Sequence, residues 1–130
     1  MLVVDASVAL AASFHPDGFA EFGSERLVSP PLMWSEARSA LHELLWRGEI
    51  SAARAESTRA RVERCPVQRR THARLGDEAW RIADDLGWAK TYDAEYLALA
   101  RLLKCRVVTL DARLRRSADR LGLVVAPHEL

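Results

Sequence analysis

Two short apolar runs, each leading directly into an aspartate and then a helical segment, constrain the fold of this chain most. The first run is Leu2–Val4 before Asp5, and the second is residues 106–110 before Asp111. Both runs are rich in β-branched residues, which favour strands. Apolar residues then recur three, four or seven positions after each aspartate, which is the spacing of one helix face. The pattern predicts two buried strands that each end at an acidic helix start.

The same alternation of strands and helices runs along the whole sequence. Further short strands are predicted at residues 26–29 and 123–125, whereas residues 65–72 fit either a strand or a loop. Alternation of this kind favours a parallel sheet with helices on both faces. We therefore expect a three-layer α/β/α fold with a central, mostly parallel sheet, in a single domain over residues 1–130. In such sheets the site lies beyond the carboxyl ends of the strands, where Asp5 and Asp111 fall.

A third aspartate, Asp93, opens another helical segment, with Tyr96, Leu97 and Ala100 at the same spacings. These residues share its helix face, so we expect Asp93 at the head of a buried stripe. Aspartate is also a preferred helix N-cap, which would explain each of the three acids alone. Three acids on inward-facing stripes, two of them directly after strands, favour a shared role over three separate caps.

Acids gathered in one crevice repel each other and take up protons unless a cation lies among them. Hard divalent ions such as Mg²⁺ prefer oxygen ligands, and they can activate water for attack on a phosphodiester. Glu36, at the edge of an apolar helix stripe, is either a fourth acid or a surface residue. Thr109 points to the same side of its strand as Asp111, and Ser7 is near Asp5. Their hydroxyls would bond a carboxylate, a metal-bound water or a phosphate, or act as local caps.

Composition argues against several other classes of protein. No apolar run approaches the roughly 20 residues of a membrane span, and the first residues lack the basic region of a secretory signal. We therefore expect a cytoplasmic protein, with Cys65 and Cys105 as reduced thiols because neither has zinc-finger spacing.

The net charge is +1, but 17 of the 19 basic residues are arginine, and seven of these lie within residues 54–74. That segment is either a solvated helix face or a phosphate-binding face.

Other catalytic classes lack their motifs in this sequence. There is no Gly-x-Ser-x-Gly elbow, phosphate-binding glycine loop or Gly-x-Gly-x-x-Gly. A phospho-acceptor signalling domain also places acids at strand ends, but it needs a lysine at a late strand end. The only lysines, Lys90 and Lys104, do not fit that position. A non-catalytic RNA- or protein-binding module on the same fold is the main alternative to an enzyme.

Four segments, in their order and spacing, carry a resemblance to a known family. They are Val3-Val4-Asp5-Ala6-Ser7, Glu36, the nine residues from Tyr92 to Ala100, and Val108-Thr109-Leu110-Asp111. With these segments the chain resembles the PIN-domain nucleases, and within them the VapC-type toxins of bacterial toxin–antitoxin pairs, over nearly its whole length. The third segment is the most specific. One position departs: family members often carry Asn three residues after the glutamate, where this chain has Ser39.

The resemblance implies a PIN-like fold and a metal-dependent endoribonuclease. Four acids would surround Mg²⁺ or Mn²⁺, namely Asp5, Glu36, Asp93 and Asp111. Asp5 and Asp93 would be the main ligands, and Thr109 matches a hydroxyl often found before the last acid. The resemblance also implies an RNA substrate, a homodimer, and a cognate VapB-type antitoxin whose C-terminal segment covers the site.

Overall fold

The computed structural model of the protein describes residues 1–130 as five short strands and six helices. The strands are β1 (Leu2–Val4), β2 (Leu27–Ser29), β3 (Val67–Arg69), β4 (Arg106–Val108) and β5 (Val124–Val125). The helices are α1 (Ala6–Ser13), α2 (Leu32–Trp46), α3 (Ala52–Glu63), α4 (Leu75–Leu86), α5 (Tyr92–Leu103) and α6 (Ala112–Ala118). Single 3₁₀ turns occur at Ala20–Phe22, Asp119–Leu121 and Pro127–Glu129. None of the helices combines the length and apolarity needed to cross a membrane.

The strands form one sheet in the order β3-β2-β1-β4-β5, and every neighbouring pair is parallel. At its centre Val3 of β1 pairs with Val28 on one side and Val107 on the other. The chain builds the sheet outward from β1 to β3, and then returns to add β4 and β5 on the opposite side. Because crossovers between parallel strands are right-handed, α1 to α3 cover one face and α4 to α6 cover the other. The predicted three-layer fold is confirmed, and the sheet is entirely parallel.

The core lies on both faces of β1 and β4 and beneath α5. Leu2, Val3 and Val4 of β1 are all buried, as expected for a strand covered on two faces. In α5 the buried residues are Ala94 and the five consecutive residues from Tyr96 to Ala100. The predicted stripe of α5 is therefore present, but burial extends around the helix between Tyr96 and Ala100, since α5 packs against α4 as well as against β1 and β4.

Local sequence signals account for most helix and strand ends, but two ends differ from what the sequence suggested. Ser51 caps α3 by accepting a 3.0 Å hydrogen bond from the amide of Arg54, a role that serine favours at helix starts. Gly87 ends α4 with a φ of 69°, a conformation that glycine adopts without a Cβ penalty. Asp93 is not a helix cap, because α5 begins at Tyr92. The strand predicted over residues 106–110 ends at Val108, which frees the next residues to turn toward β1.

Candidate active site

The carboxyl ends of β1 and β4 form a crevice, because the chain leaves these adjacent strands toward opposite faces of the sheet. Asp5 follows β1, while Thr109 and Asp111 follow β4. The amide of Asp5 still donates to the carbonyl of Val108, at 3.4 Å. The two strand ends that the sequence predicted to carry acids are therefore neighbours in the fold.

The carboxylate of Asp5 is 5% exposed and is fixed by donors from both strand ends. Its Oδ1 accepts hydrogen bonds from the Ser7 hydroxyl at 2.6 Å and the Val8 amide at 3.1 Å. Its Oδ2 accepts a hydrogen bond from the Thr109 hydroxyl. The oxygen of that hydroxyl in turn accepts from the Asp111 amide at 2.9 Å. Asp5 is thus the predicted N-cap of α1, and it is also held to the loop after β4.

Asp111 and Asp93 face each other across a single arginine. Oδ1 of Asp111 caps α6 by accepting from the amides of Arg113 and Leu114, at 2.9 and 3.2 Å. The guanidinium of Arg113 lies 3.9 Å from Oδ2 of Asp111 and 3.6 Å from Oδ2 of Asp93. Both acid side chains are more than one-third exposed, so they line the open side of the crevice while Asp5 lies at its base.

Glu36 reaches the crevice from α2, on the other layer of helices. Its Oε1 accepts a 2.6 Å hydrogen bond from the phenol of Tyr96 on α5. Ser39, which replaces the Asn often found in the family, is exposed on α2. Glu36 takes its hydrogen bond from Tyr96 and not from residue 39.

The acids share one electrostatic environment. Burial raises the pKa of Asp5, and the charge of Asp111 adds to that rise. Burial likewise raises the pKa of Glu36, with further contributions from Asp93 and Asp5. Burial raises the pKa of Asp93, the charge of Arg113 lowers it, and the charge of Asp111 raises it again. Asp5, Asp93 and Asp111 thus each raise the cost of ionising another acid of the crevice, a cost that a bound cation lowers.

By donor type the four acids fit a hard divalent cation, since they offer only carboxylate oxygens. No three His, Cys, Asp or Glu side chains of the chain lie close enough together to hold a metal ion as they stand. Arg113 is instead the cation that lies between two of the acids.

A pocket of about 600 Å³ opens beside Glu36 and Asp93. Its lining includes two basic side chains, Lys90 and Arg113, and the half-buried ring of Trp88.

Sequence reasoning missed the roles of Tyr96 and Arg113. Tyr96 was read only as an apolar stripe residue, since its partner Glu36 is 60 positions away.

Some arginines of residues 54–74 contact other parts of the fold. Arg54 and Arg61 each donate a 3.2 Å hydrogen bond to a carbonyl at the end of α1. Arg54 also lies 5.4 Å from the centroid of a phenylalanine ring, and Arg69 lies 4.5 Å from that of an indole ring. Such cations favour helix C-termini and aromatic faces. These three arginines are therefore not simply solvated, whereas Arg59, Arg64 and Arg74 are exposed.

The fold and the acidic crevice are those of a PIN domain, and the chain belongs to the PIN-domain family, whose model matches residues 2–120. Its relatives there include Ribonuclease VapC9 of Mycobacterium tuberculosis and VapC ribonuclease Mb0985 of Mycobacterium bovis. Each is 40% identical over 116 residues, which is 88% of this chain and 88% of the relative. The crystal structure of PAE2754 from Pyrobaculum aerophilum is similar over 98% of this chain and 90% of its own, with a TM-score of 0.77 and 25% identity. The resemblance predicted from the four sequence segments is confirmed.

Proposed function

We propose that this chain, acting as one PIN domain over residues 1–130, is a metal-dependent endoribonuclease and the toxin of a toxin–antitoxin pair. The observation that carries the proposal is the buried carboxylate of Asp5, fixed by hydroxyls from both strand ends at the switch point of the sheet. The similarity to proteins named VapC ribonuclease supports the same function.

Four acids are proposed as the metal site, and they are Asp5, Glu36, Asp93 and Asp111. Asp5 and Asp93 would be the main ligands of Mg²⁺ or Mn²⁺, while the other two would bind directly or through water. When bound, such an ion activates a water and stabilises the charge that develops on the phosphodiester. The raised pKa values of Asp5 and Asp93 support this assignment, because burial disfavours their ionised forms and a divalent cation would offset that cost.

The chain's own hydrogen bonds would hold the acids in place for the reaction. Ser7 and Thr109 fix the two oxygens of Asp5, so that its carboxylate keeps one orientation. Tyr96 does the same for one oxygen of Glu36 and leaves the other oxygen free of this bond. Support of this kind around metal-binding carboxylates contributes to metal affinity and activity.

The proposed partners follow from membership of the VapC group. They are an RNA substrate, a second copy of the chain in a homodimer, and a VapB-type antitoxin whose C-terminal segment covers the acidic crevice. The proposed place of action is the cytoplasm, where RNA and the antitoxin would both be present.

The test compares Asp5→Asn and Asp93→Asn with the parent in RNA cleavage and growth arrest. Both variants should lose Mg²⁺- or Mn²⁺-dependent cleavage, and neither should arrest growth. Asp84→Asn makes the same change on the exposed face of α4 and should behave as the parent. Cleavage and arrest by both site variants at the parent's level would refute the proposal.

A non-catalytic RNA- or protein-binding module is the second candidate function. It is favoured by one observation, that no three acids are close enough to hold a metal ion as they stand. Calorimetry separates the two functions. Binding of Mg²⁺ or Mn²⁺ to the parent favours the nuclease, whereas RNA binding without any metal binding favours the module.

A further inference from the structure

Arg113 is the basic residue nearest to the acids, and it is loosely held. Its guanidinium lies 3.6 Å from Asp93 and 3.9 Å from Asp111, which is ion-pair distance and beyond the usual length of a hydrogen bond. Its side chain is 75% exposed. A long side chain with so little packing can pivot at its rotatable bonds without disturbing α6.

One guanidinium is a poor match for the charge of the crevice. Four carboxylates line the crevice, and Arg113 pairs with only the two on the open side, Asp93 and Asp111. A divalent ion carries twice the charge and accepts oxygen ligands from several directions, whereas the guanidinium is planar and has fixed N–H directions. An ion that entered among the acids would therefore offset much of the negative charge that attracts Arg113 and would compete with its guanidinium for Asp93 and Asp111.

The pocket beside the acids shows where the released guanidinium would point. Arg113 and Lys90 are its two basic lining residues, and Glu36 and Asp93 are its two acidic ones. The volume of about 600 Å³ is within the usual range for a site that holds a nucleotide-sized ligand. The acids would repel an RNA phosphate entering this pocket, so the side chains of this pocket that would attract it are Arg113 and Lys90.

We propose that Arg113 is the residue that positions an RNA phosphate in this site, and that Asp93 and Asp111 hold its guanidinium only until a divalent cation occupies the acids. The guanidinium fork matches two phosphate oxygens at once, which a lysine ammonium does not. This inference rests on the proposed nuclease function for its substrate. It goes further by giving one side chain two successive partners, the acids before metal binding and the phosphate after it.

The experiment compares Arg113→Gln with Arg116→Gln. Arg116 is exposed on the same helix and forms no ion pair with the acids, so its variant makes an equal change of charge. Two titrations are made on each protein: Mn²⁺ alone by calorimetry, and a non-cleavable 2′-O-methyl RNA in the presence of Mn²⁺. Unfolding midpoints are measured in parallel, and the exposure of both side chains predicts little change in either.

Arg113→Gln should bind Mn²⁺ several-fold more tightly than the parent, because a competing cation is gone. It should bind the RNA about tenfold more weakly, the effect of losing one charge-assisted hydrogen-bonded contact. Arg116→Gln should match the parent in both titrations. Weaker Mn²⁺ binding by Arg113→Gln would make it a structural support of the acids and overturn the inference, as would unchanged RNA affinity.

The RNA titration does not depend on cleavage, so the two proposals fail separately. Selective loss of RNA affinity in Arg113→Gln supports the phosphate contact even in a chain that cuts nothing. A parent that cleaves RNA while Arg113→Gln binds the RNA equally well overturns the contact alone.

Discussion

The phenol of Tyr96 on α5 donates a 2.6 Å hydrogen bond to Oε1 of Glu36 on α2. Side chains from helices on opposite faces of the sheet therefore meet beyond the carboxyl ends of its strands. Tyr96 is only 1% exposed, and its ring cannot swing away from this contact. Burial and the nearby acids also raise the pKa of its phenol, which keeps the proton in place as a donor. Tyr96 is therefore a fixed support for an acid that is itself only half-buried.

Replacing Tyr96 by Phe tests this support. We expect RNA cleavage to fall by about tenfold or more, since a hydrogen bond to a charged group contributes roughly 1.5–3 kcal/mol. The pKa of Glu36 should also rise, because the bond from Tyr96 now lowers it against the effect of burial. Single-turnover RNA cleavage measured across pH gives both the loss of rate and the shift in the pKa of Glu36. Ser39→Ala is the control and should leave the profile unchanged; a Tyr96→Phe profile equal to the parent's would contradict the role.

The hydroxyl of Thr109 links Asp5 to the amide of Asp111, and Thr109→Val removes it at nearly constant volume. The buried carboxylate of Asp5 would lose a donor. The free energy of unfolding at neutral pH should therefore fall by about 1–3 kcal/mol, the cost of an unsatisfied buried polar group. Urea unfolding measures this change. Thr109→Ser keeps the hydroxyl and should recover most of the loss; equal loss in both variants would assign the effect to packing.

The stability of the metal-free protein should depend on pH with a definite sign. The folded-state pKa of Asp5 is raised above its ordinary value of 3.8, so between the two values the folded protein binds more protons than the unfolded chain. Glu36 and Asp93 shift in the same direction. The contribution of the protonated acids is thus present at low pH and is lost as pH rises through the raised pKa values. In chelator, the free energy of unfolding should fall across that window.

Asp5→Asn isolates the share of that pH dependence due to Asp5. The variant should unfold at a higher temperature than the parent at pH 7 in chelator, because it buries no charge at this position. Adding Mn²⁺ should raise the melting temperature of the parent but not of Asp5→Asn. Thermal unfolding at several pH values checks both statements, with Asp84→Asn as the matched surface control. A parent that gains stability as pH rises from 4 to 7 in chelator would reverse the predicted sign.

The arginines of residues 54–74 should separate into two groups. Arg54→Gln and Arg61→Gln remove donors to the carbonyls at the end of α1, and each should lower the free energy of unfolding by roughly 0.3–1 kcal/mol. Arg64→Gln and Arg74→Gln change exposed side chains and should leave stability unchanged. If the segment contacts RNA, each lost phosphate contact should reduce the slope of log affinity against log salt by about 0.7. An unchanged slope would leave these arginines to solvent or to the antitoxin.

Sequence reasoning succeeded where the signal is local. Leu2–Val4 is apolar and β-branched, and Asp5 stops the run and caps the helix, so the strand, cap and helix were all predictable. The edge strand β3 was not, because only Val67 of its three residues is buried and no alternation is visible. The end of β4 was placed two residues late, since Thr109 and Leu110 read as strand residues by composition.

Contacts between distant segments were beyond local patterns. The sequence indicated that Asp5 and Asp111 would share an edge of the sheet, because strand ends in a parallel sheet align. It gave no sign that the hydroxyl of Tyr96, on an apolar helix face, would find Glu36. The guanidinium of Arg113 was equally hidden, because its partner Asp93 belongs to a different helix. Such pairings depend on how the layers pack, which the periodicity of one helix does not encode.

The hydroxyl that fixes Asp5 lies 104 positions further along the chain. While the ribosome is still making α5, β1 has neither β4 beside it nor Thr109 to hold its terminal acid. A growing chain therefore cannot complete the hydrogen bonds that fix Asp5 until Thr109 has left the exit tunnel and β4 has joined the sheet.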